Sequence, residues 1–517
     1  MADYKNTLNL PETAFPMRGN LPQREPEMLA FWEKADIYGK QRAAFADAPK
    51  FILHDGPPYA NGAIHVGHAL NKILKDIITK SRHLLGFNSP YIPGWDCHGL
   101  PIEQKVEQQI GKPGAKVSAT EFRAACRNYA ASQVELQKAD FIRLGVFGDW
   151  AHPYLTMQPQ TEAGIVRALR EIVARGHVVR GFKPVNWCLD CRSSLAEAEV
   201  EYEDKTSDSI DVRFAVRDPA ELARRMGSDV VPPAVDVIIW TTTPWTLPAN
   251  LMLAVNPEMT YCEVLVDGEK LIIAEEALER VLQDDKHQPL DYEVLRRFSG
   301  GELVGRAYQP LDTGSTYPED AKIHHIYPAD FVTAESGTGI VHIAPAYGED
   351  DFELGKRHGI SAFHVIDDDG YYFDSIYKGR EVWSSNKYIA KDLAERGIVW
   401  RIEYIRHEYP FNPRSKQRIM YRAIPSWFMD IGEEKPLLLE QNENINWFPA
   451  HLKHGRFAKN IDQAPDWNLS RDRFWASAMP VWKGDKGTVR VIGSYAELAE
   501  LSGVELDDYH RPWVDSI

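Results

Sequence analysis

The chain has 517 residues, 44% hydrophobic and 26% charged, too long for one core and predicted to hold two or three domains. A net charge of −16 argues against a broad nucleic-acid-binding surface and leaves room only for local basic faces. No apolar run approaches the ~20 residues of a membrane helix, the N-terminus has no basic-then-apolar secretory pattern, and five cysteines are too few for a disulfide scaffold, so the expectation is a cytoplasmic protein with reduced thiols.

Glu25–Tyr38 reads as an amphipathic helix. Phe51–His54 reads as a strand that stops at Asp55-Gly56-Pro57-Pro58, a loop with little freedom. From Ile64 to Leu85 the apolar residues Val66, Leu70, Ile73, Leu74, Ile77 and Ile78 follow helical spacing, and Gly86 is a stop. Ser118 and Glu121 have capping-box spacing at the start of a helix running to about Leu144. Strand, loop and helix in this order predict an α/β, Rossmann-like nucleotide-binding domain. From about residue 200 the pattern turns to strands: Val235–Trp240, then Tyr261–Val266 and Lys270–Ala274 around Asp267-Gly268-Glu269, then Gly337–Ala344 and an Asp369-Gly370 turn. The expected layout is residues 1–199 as the first part of the Rossmann-like domain with a cysteine-containing connection, 200–395 as an inserted β-rich domain, and 396–517 as the return. Two basic clusters (Arg167, Arg170, Arg175, Arg180, Lys183; and Arg401, Arg406, Arg414, Lys416, Arg418) are expected to be solvated surface charge.

The densest chemistry lies in DGPPYANGAIHVGH, residues 55–68. A triphosphate needs backbone N–H donors, a favourable dipole and close approach of the chain, which a glycine-containing helix N-terminus supplies. Gly62 and Gly67 would leave room for the adenine and ribose. His65 and His68 would donate hydrogen bonds to phosphate oxygens as charge develops, and donors of this kind stabilise a transition state more than a ground state.

This loop, its continuation ALNKILKDI (Ala69–Ile77) and GWDCHGLPIE (Gly94–Glu103) together resemble class I isoleucyl-tRNA synthetases, with His-Val-Gly-His standing for that family's His-Ile-Gly-His. The resemblance runs through essentially the whole chain. It implies a Rossmann-like catalytic domain interrupted by an editing domain, and a ligase using ATP with Mg2+, isoleucine and an isoleucine-accepting tRNA, with no membrane and no obligate protein partner. It further implies that Pro57 packs on the isoleucine side chain, that Asp96 binds its ammonium group, the natural partner of a carboxylate, and that Trp475 closes the pocket. Ala476 departs from the family's glycine.

A second pair of motifs, WTTTPWTLPAN (Trp240–Asn250) and GTGIVHIAPAYGEDDF (Gly337–Phe352), resembles the family's editing site. Valine lacks one methylene of isoleucine, and a pocket refuses it by only ~1–3 kcal/mol, so a second, hydrolytic sieve is needed; this enzyme class is the standard example of that argument. The resemblance gives Thr241, Thr242 and Thr243 to the tRNA's terminal adenosine, Thr246 and His342 to a small side-chain pocket, and Asp351 to the amino group of misattached valine. A positioned water is the expected nucleophile, with no general base identified.

Cys188 and Cys191 have zinc-knuckle spacing but form half of a tetrahedral site. Asn412 and Ser415 occupy the positions where some relatives complete it, and His407 is the other candidate ligand. Cys97, Cys126 and Cys262 are read as non-ligands. The family's Lys-Met-Ser-Lys-Ser loop is not found before the chain ends, shortly after HRPWVDS (510–516), so the expectation is the N-terminal part of a longer ligase. An editing-only Val-tRNA deacylase and a silent tRNA-binding piece are the alternatives.

Overall fold

His65 ends a proline-rich loop and starts a helix: its backbone is extended and its ring nitrogen accepts the free Gly67 N–H in the first turn of Val66–Leu84. This helix belongs to a computed structural model that describes residues 7, 9, 19–225, 234–284, 286–335, 337–413, 415–506, 514 and 517; Arg414 and most of HRPWVDS fall outside them. The chain divides into two units, one of residues 1–175 with 473–517 and the other of 176–472.

In the first unit the predicted N-terminal helix is two, α1 (Leu21–Lys34) and α2 (Ile37–Ala44), separated where Asp36 turns left-handed and caps α2 through Gly39 N–H. Phe51–His54 is not a strand. It makes one backbone bond, Phe51 N–H to Asn88 O at 2.9 Å, and among the described residues no ladder continues past it. Then come α3 (Val66–Leu84), β1 (Gly94–Trp95), α4 (Leu100–Ile110), α5 (Ala119–Arg143), β2 (Tyr154–Leu155) and α6 (Pro159–Ala174). β1 and β2 pair in parallel. The Ser118–Glu121 capping box forms as expected, and Gly86 ends α3 at φ +89°. The core joins Trp95, Ile102, Val106, Phe122, Cys126, Val134, Phe141 and Trp475. α3 is oriented against expectation. Its apolar stripe (Val66, Leu70, Ile73, Leu74, Ile77, Ile78) is exposed, while Lys72, Asp76, Thr79 and His83 are buried.

The second unit carries β3 (Val178–Cys188), β4 (Ser193–Leu195), β5 (Glu201–Ala215), β6 (Asp236–Thr241), β7 (Met252–Val255), β8 (Thr260–Val266), β9 (Glu269–Ala274), β10 (Tyr292–Ser299), β11 (His325–Pro328), β12 (Ile340–Ile343), β13 (Val399–Phe411), β14 (Ile419–Met429) and β15 (Trp467–Asn468). A six-stranded sheet in the order β10-β8-β9-β6-β5-β13 meets a three-stranded one, β11-β7-β12, and a third sheet runs β15-β14-β3-β4. The β8–β9 hairpin turns at Asp267 (φ +50°) and Gly268 (φ +83°), as the sequence predicted. β13 lies beyond the expected 395/396 boundary yet pairs with β5 from Val399 to Phe411. Ile210, Val212, Phe214, Val237, Ile239, Val264 and Ile272 fill one continuous core.

Candidate functional site

The loop before α3 is tied down from three sides. Asp96 N–H donates to Pro58 O at 2.9 Å and Ala60 N–H to Asp96 O at 2.8 Å, which pairs the Pro57–Ala60 loop with the end of β1. Buried Gln137, from α5, donates to Tyr59 O (3.0 Å) and Gly62 O (2.8 Å) and accepts from Trp95 Nε1 (3.0 Å). Gln133 accepts from Gly62 N–H at 3.0 Å. Gly62 sits at φ +80°, a backbone open to glycine. At the loop's start, buried Asp55 accepts from Lys72 at 2.5 Å, from Lys75, and from Gly94 N–H at 3.2 Å. Burial pushes its carboxyl up, but the two ammonium groups outweigh that and hold it low.

His65 and His68 stack with centroids 3.9 Å apart. His65 Nδ1 accepts from Gly67 N–H at 3.0 Å, and His68 Nδ1 accepts from His65 N–H at 3.4 Å. Each neutral ring therefore carries its proton on Nε2, free to point away from the backbone. Desolvation, then the neighbouring His65 and Lys72, push the His68 imidazole down. A Cβ on Gly67 would come within 2.8 Å of the His65 ring, so glycine is needed for the cap itself.

Beside this loop, Asp96 is half-buried and desolvation raises its carboxyl, against the lowering from His98 N–H. Trp475 is buried, donates from Nε1 to Cys97 O at 2.6 Å, and lies between His98 (centroids 4.8 Å) and the Arg127 guanidinium (4.9 Å). Glu103 fixes it, accepting from Phe474 N–H at 2.9 Å and Trp475 N–H at 2.7 Å. The structure thus gathers Pro57, Gly62, His65, Gly67, His68, Asp96 and Trp475 around one loop. Ala476 follows Trp475 without a structural account of its methyl group.

In the other unit, hydroxyls at the end of β6 form a chain. Thr241 Oγ1 lies 3.1 Å from Thr243 Oγ1, which lies 3.3 Å from Thr246 Oγ1, and that atom is 2.8 Å from His342 Nε2 on β12. Thr242 is partly exposed beside them. Asp351, on the first turn of the helix Glu349–His358, accepts from Ala344 N–H at 2.9 Å, two residues past His342. Desolvation pushes its carboxyl up to about 7, Asp350 adds to this, and Ala344 N–H opposes it. Burial pushes the His342 imidazole down to about 3.

The family model "tRNA synthetases class I (I, L, M and V)" matches residues 27–514. The chain belongs to this synthetase family. It is 51% identical over 516 residues to the isoleucine–tRNA ligase of Dichelobacter nodosus, covering 98% of this chain and 55% of that protein. It is 49% identical to the ligases of Yersinia pseudotuberculosis and Yersinia pestis, covering 99% of the chain and 54% of each. The chain thus spans about half the length of the curated relatives it matches.

In this synthetase chain the expected zinc half-site does not fit the metal. Cys188 and Cys191 are joined to each other as a disulfide, against the expectation that the thiols are all reduced. Asn412 aims its amide N–H at both sulfurs, 3.3 Å and 3.2 Å away, so it donates where a ligand would have to coordinate. His407 is bonded to Ser207 at 2.9 Å, and among the described residues no group of three His, Cys, Asp or Glu could hold a metal. The basic clusters are partly neutralised, and Arg401 is buried rather than solvated: Arg170 meets Glu497, Lys183 meets Asp466, Arg401 meets Asp211, Arg406 meets Asp204, and Lys416 meets Glu201 and Glu203. Among the described residues no helix is long and apolar enough to cross a membrane. Sequence reasoning missed Gln137 and Glu103; a Gln and a Glu on otherwise core-facing helix positions were the available signals.

Proposed function

We propose that the chain carries the adenylate-forming and editing sites of a cytoplasmic isoleucine–tRNA ligase, with a Rossmann-like catalytic domain interrupted by a β-rich editing domain. The observation that supports the reading is the two-way backbone pairing of Asp96 with Pro58 and Ala60, which sets the Asp96 carboxylate beside the His65–His68 loop. The roughly half-identical sequences of curated isoleucine–tRNA ligases support it.

In this reading isoleucine's carboxylate attacks the α-phosphorus of Mg·ATP, one P–O bond forms, and pyrophosphate leaves. Asp96 holds the ammonium group, Pro57 and Trp475 bound the side chain, and Gly62 and Gly67 admit the nucleotide. The Nε2–H groups of His65 and His68 meet phosphate oxygens, where fixed donors stabilise developing charge. The acyl group then passes to the terminal ribose of the tRNA. At the second site Thr241, Thr242 and Thr243 hold the terminal adenosine, Thr246 and His342 limit the side-chain space, and Asp351 binds the amino group of valine. Water adds to the ester carbonyl, releasing valine and the ribose hydroxyl.

Incubating the chain with Val-tRNA and Ile-tRNA of the isoleucine acceptor tests this reading. Faster deacylation of the valyl ester, lost in Asp351→Ala, is the expected result. Equal rates on both esters, or an unaffected Asp351→Ala, would defeat it.

A further inference from the structure

Behind the Thr246–His342 contact runs a buried chain of hydrogen bonds that reaches a tyrosine far from the site motifs in sequence. Asn250, Tyr308, His342 and Thr246 are each nearly inaccessible. One Asn250 side-chain atom lies 2.9 Å from Met252 O, which can only accept, so that atom is Nδ2. The other atom is then Oδ1, and the Tyr308 hydroxyl donates to it at 2.6 Å. The second Nδ2 proton faces His342 Nδ1 at 2.9 Å. With Nδ1 accepting, the ring's single proton lies on Nε2, which donates to Thr246 Oγ1 at 2.8 Å. Thr246 passes its own proton to Thr243 O at 2.8 Å. Each donor and acceptor along this path has one assignment.

We propose that Tyr308 is a positioning residue for the second site: its hydroxyl, opposite Met252 O, clamps the Asn250 amide that keeps His342 as the neutral Nε2–H tautomer, a donor to Thr246 and never a proton acceptor. Both ring nitrogens are occupied, so His342 cannot take a proton from the attacking water. The ring's work is to orient the Thr246 hydroxyl, and through it the partly exposed Thr243 hydroxyl. Burial, which disfavours the imidazolium, acts in the same direction. The effect on deacylation rests on the editing reading above, whereas the tautomer does not.

The test is 15N NMR of the histidine-labelled 517-residue chain, with His342→Gln used to assign the ring, alongside Val-tRNA deacylation. The ring should show a protonated Nε2 and an accepting Nδ1, unchanged from pH 8 to 5. Tyr308→Phe keeps the ring packed on Phe214, 5.3 Å between centroids, so the fold should hold. With Oδ1 unpaired, the Asn250 amide is held by Met252 O alone and its bond to His342 should weaken, so the Nδ1 signal should move partway downfield, and deacylation should fall roughly fivefold, the scale of one buried hydrogen bond. In Asn250→Asp the ring proton should move to Nδ1. An Nδ1–H tautomer or an imidazolium in the native chain would overturn the relay whatever the deacylation rate. So would a Tyr308→Phe variant with unchanged Nδ1 signal and rate. Correct ring signals without any Val-tRNA deacylation would instead overturn the editing reading.

Discussion

His65 and His68 cap one helix together: each Nδ1 accepts a backbone N–H, from Gly67 and from His65 itself, while the rings stack at 3.9 Å. One pair of side chains therefore ends a loop, starts a helix and presents two Nε2–H donors. Capping uses Nδ1 and the proposed phosphate contact Nε2, so the two can be separated by mutation.

His65→Ala should lose the cap and about 1 kcal/mol of stability. His65→Asn should restore the cap through its side-chain oxygen and recover most of that stability, yet lack the Nε2–H donor. Urea midpoints and ATP-site affinity, measured on both variants, check this: the two should differ in stability and agree in weakened nucleotide binding. Gly67→Ala should resemble His65→Ala, because its methyl would displace the capping ring.

Gln137 binds two loop carbonyls and the Trp95 indole. Gln137→Leu is nearly isosteric but takes the partner from Gly62 O and the Trp95 indole N–H, while Tyr59 O keeps Asn61 N–H. A loss of roughly 2–3 kcal/mol is expected, since stranded buried polar groups cost more than the mean hydrogen bond contributes. Denaturant unfolding measures it, and weaker binding of adenylate analogues should accompany it as the 59–62 loop loosens.

Asp351 should couple stability to pH. Its folded-state value, about 7 against an ordinary 3.8, means the folded chain holds a proton that the unfolded chain releases between these limits. Its charge thus destabilises the fold at high pH, and the penalty fades as pH falls through 7 toward 4. Asp351→Asn keeps the acceptor for Ala344 N–H and removes the charge. It should be more stable than the parent at pH 8 and equal to it near pH 4, as chemical denaturation at each pH would show.

Zinc should be substoichiometric in the purified chain, because Asn412 presents N–H groups rather than a ligand to Cys188 and Cys191. Metal analysis by mass spectrometry checks this. Treatment with a chelator should leave the unfolding midpoint unchanged.

How far the sequence could be read varies with the range of each interaction. The Ser118–Glu121 cap, the Asp267-Gly268 hairpin and the His65–His68 helix start are local, and all formed where spacing placed them. The periodicity of α3 announced a helix but not which face would be buried: spacing shows that a stripe exists, whereas burial depends on what packs there. Phe51–His54 read as a strand from its apolar composition, yet pairing stops at Phe51, because a ladder depends on a partner segment that composition does not name. The resemblance set Asn412 near the cysteines, but that its amide donates to both sulfurs follows from the β3–β14 register, in which Ile419 lies opposite Cys188. Gln137, Glu103 and Tyr308 act across 42 to 372 residues of sequence in bonds that no motif encodes.

The central claim is that the loop around His65, His68 and Asp96 forms an isoleucine-selective adenylate site. Calorimetric titration of the chain with the sulfamoyl analogues of isoleucyl- and valyl-adenylate tests it most directly. The account predicts that the isoleucyl analogue binds more tightly by roughly 10- to 200-fold, the range for one methylene in a hydrophobic pocket, and that Asp96→Asn abolishes binding of both. Equal affinity for the two analogues, or undiminished binding by Asp96→Asn, would contradict it.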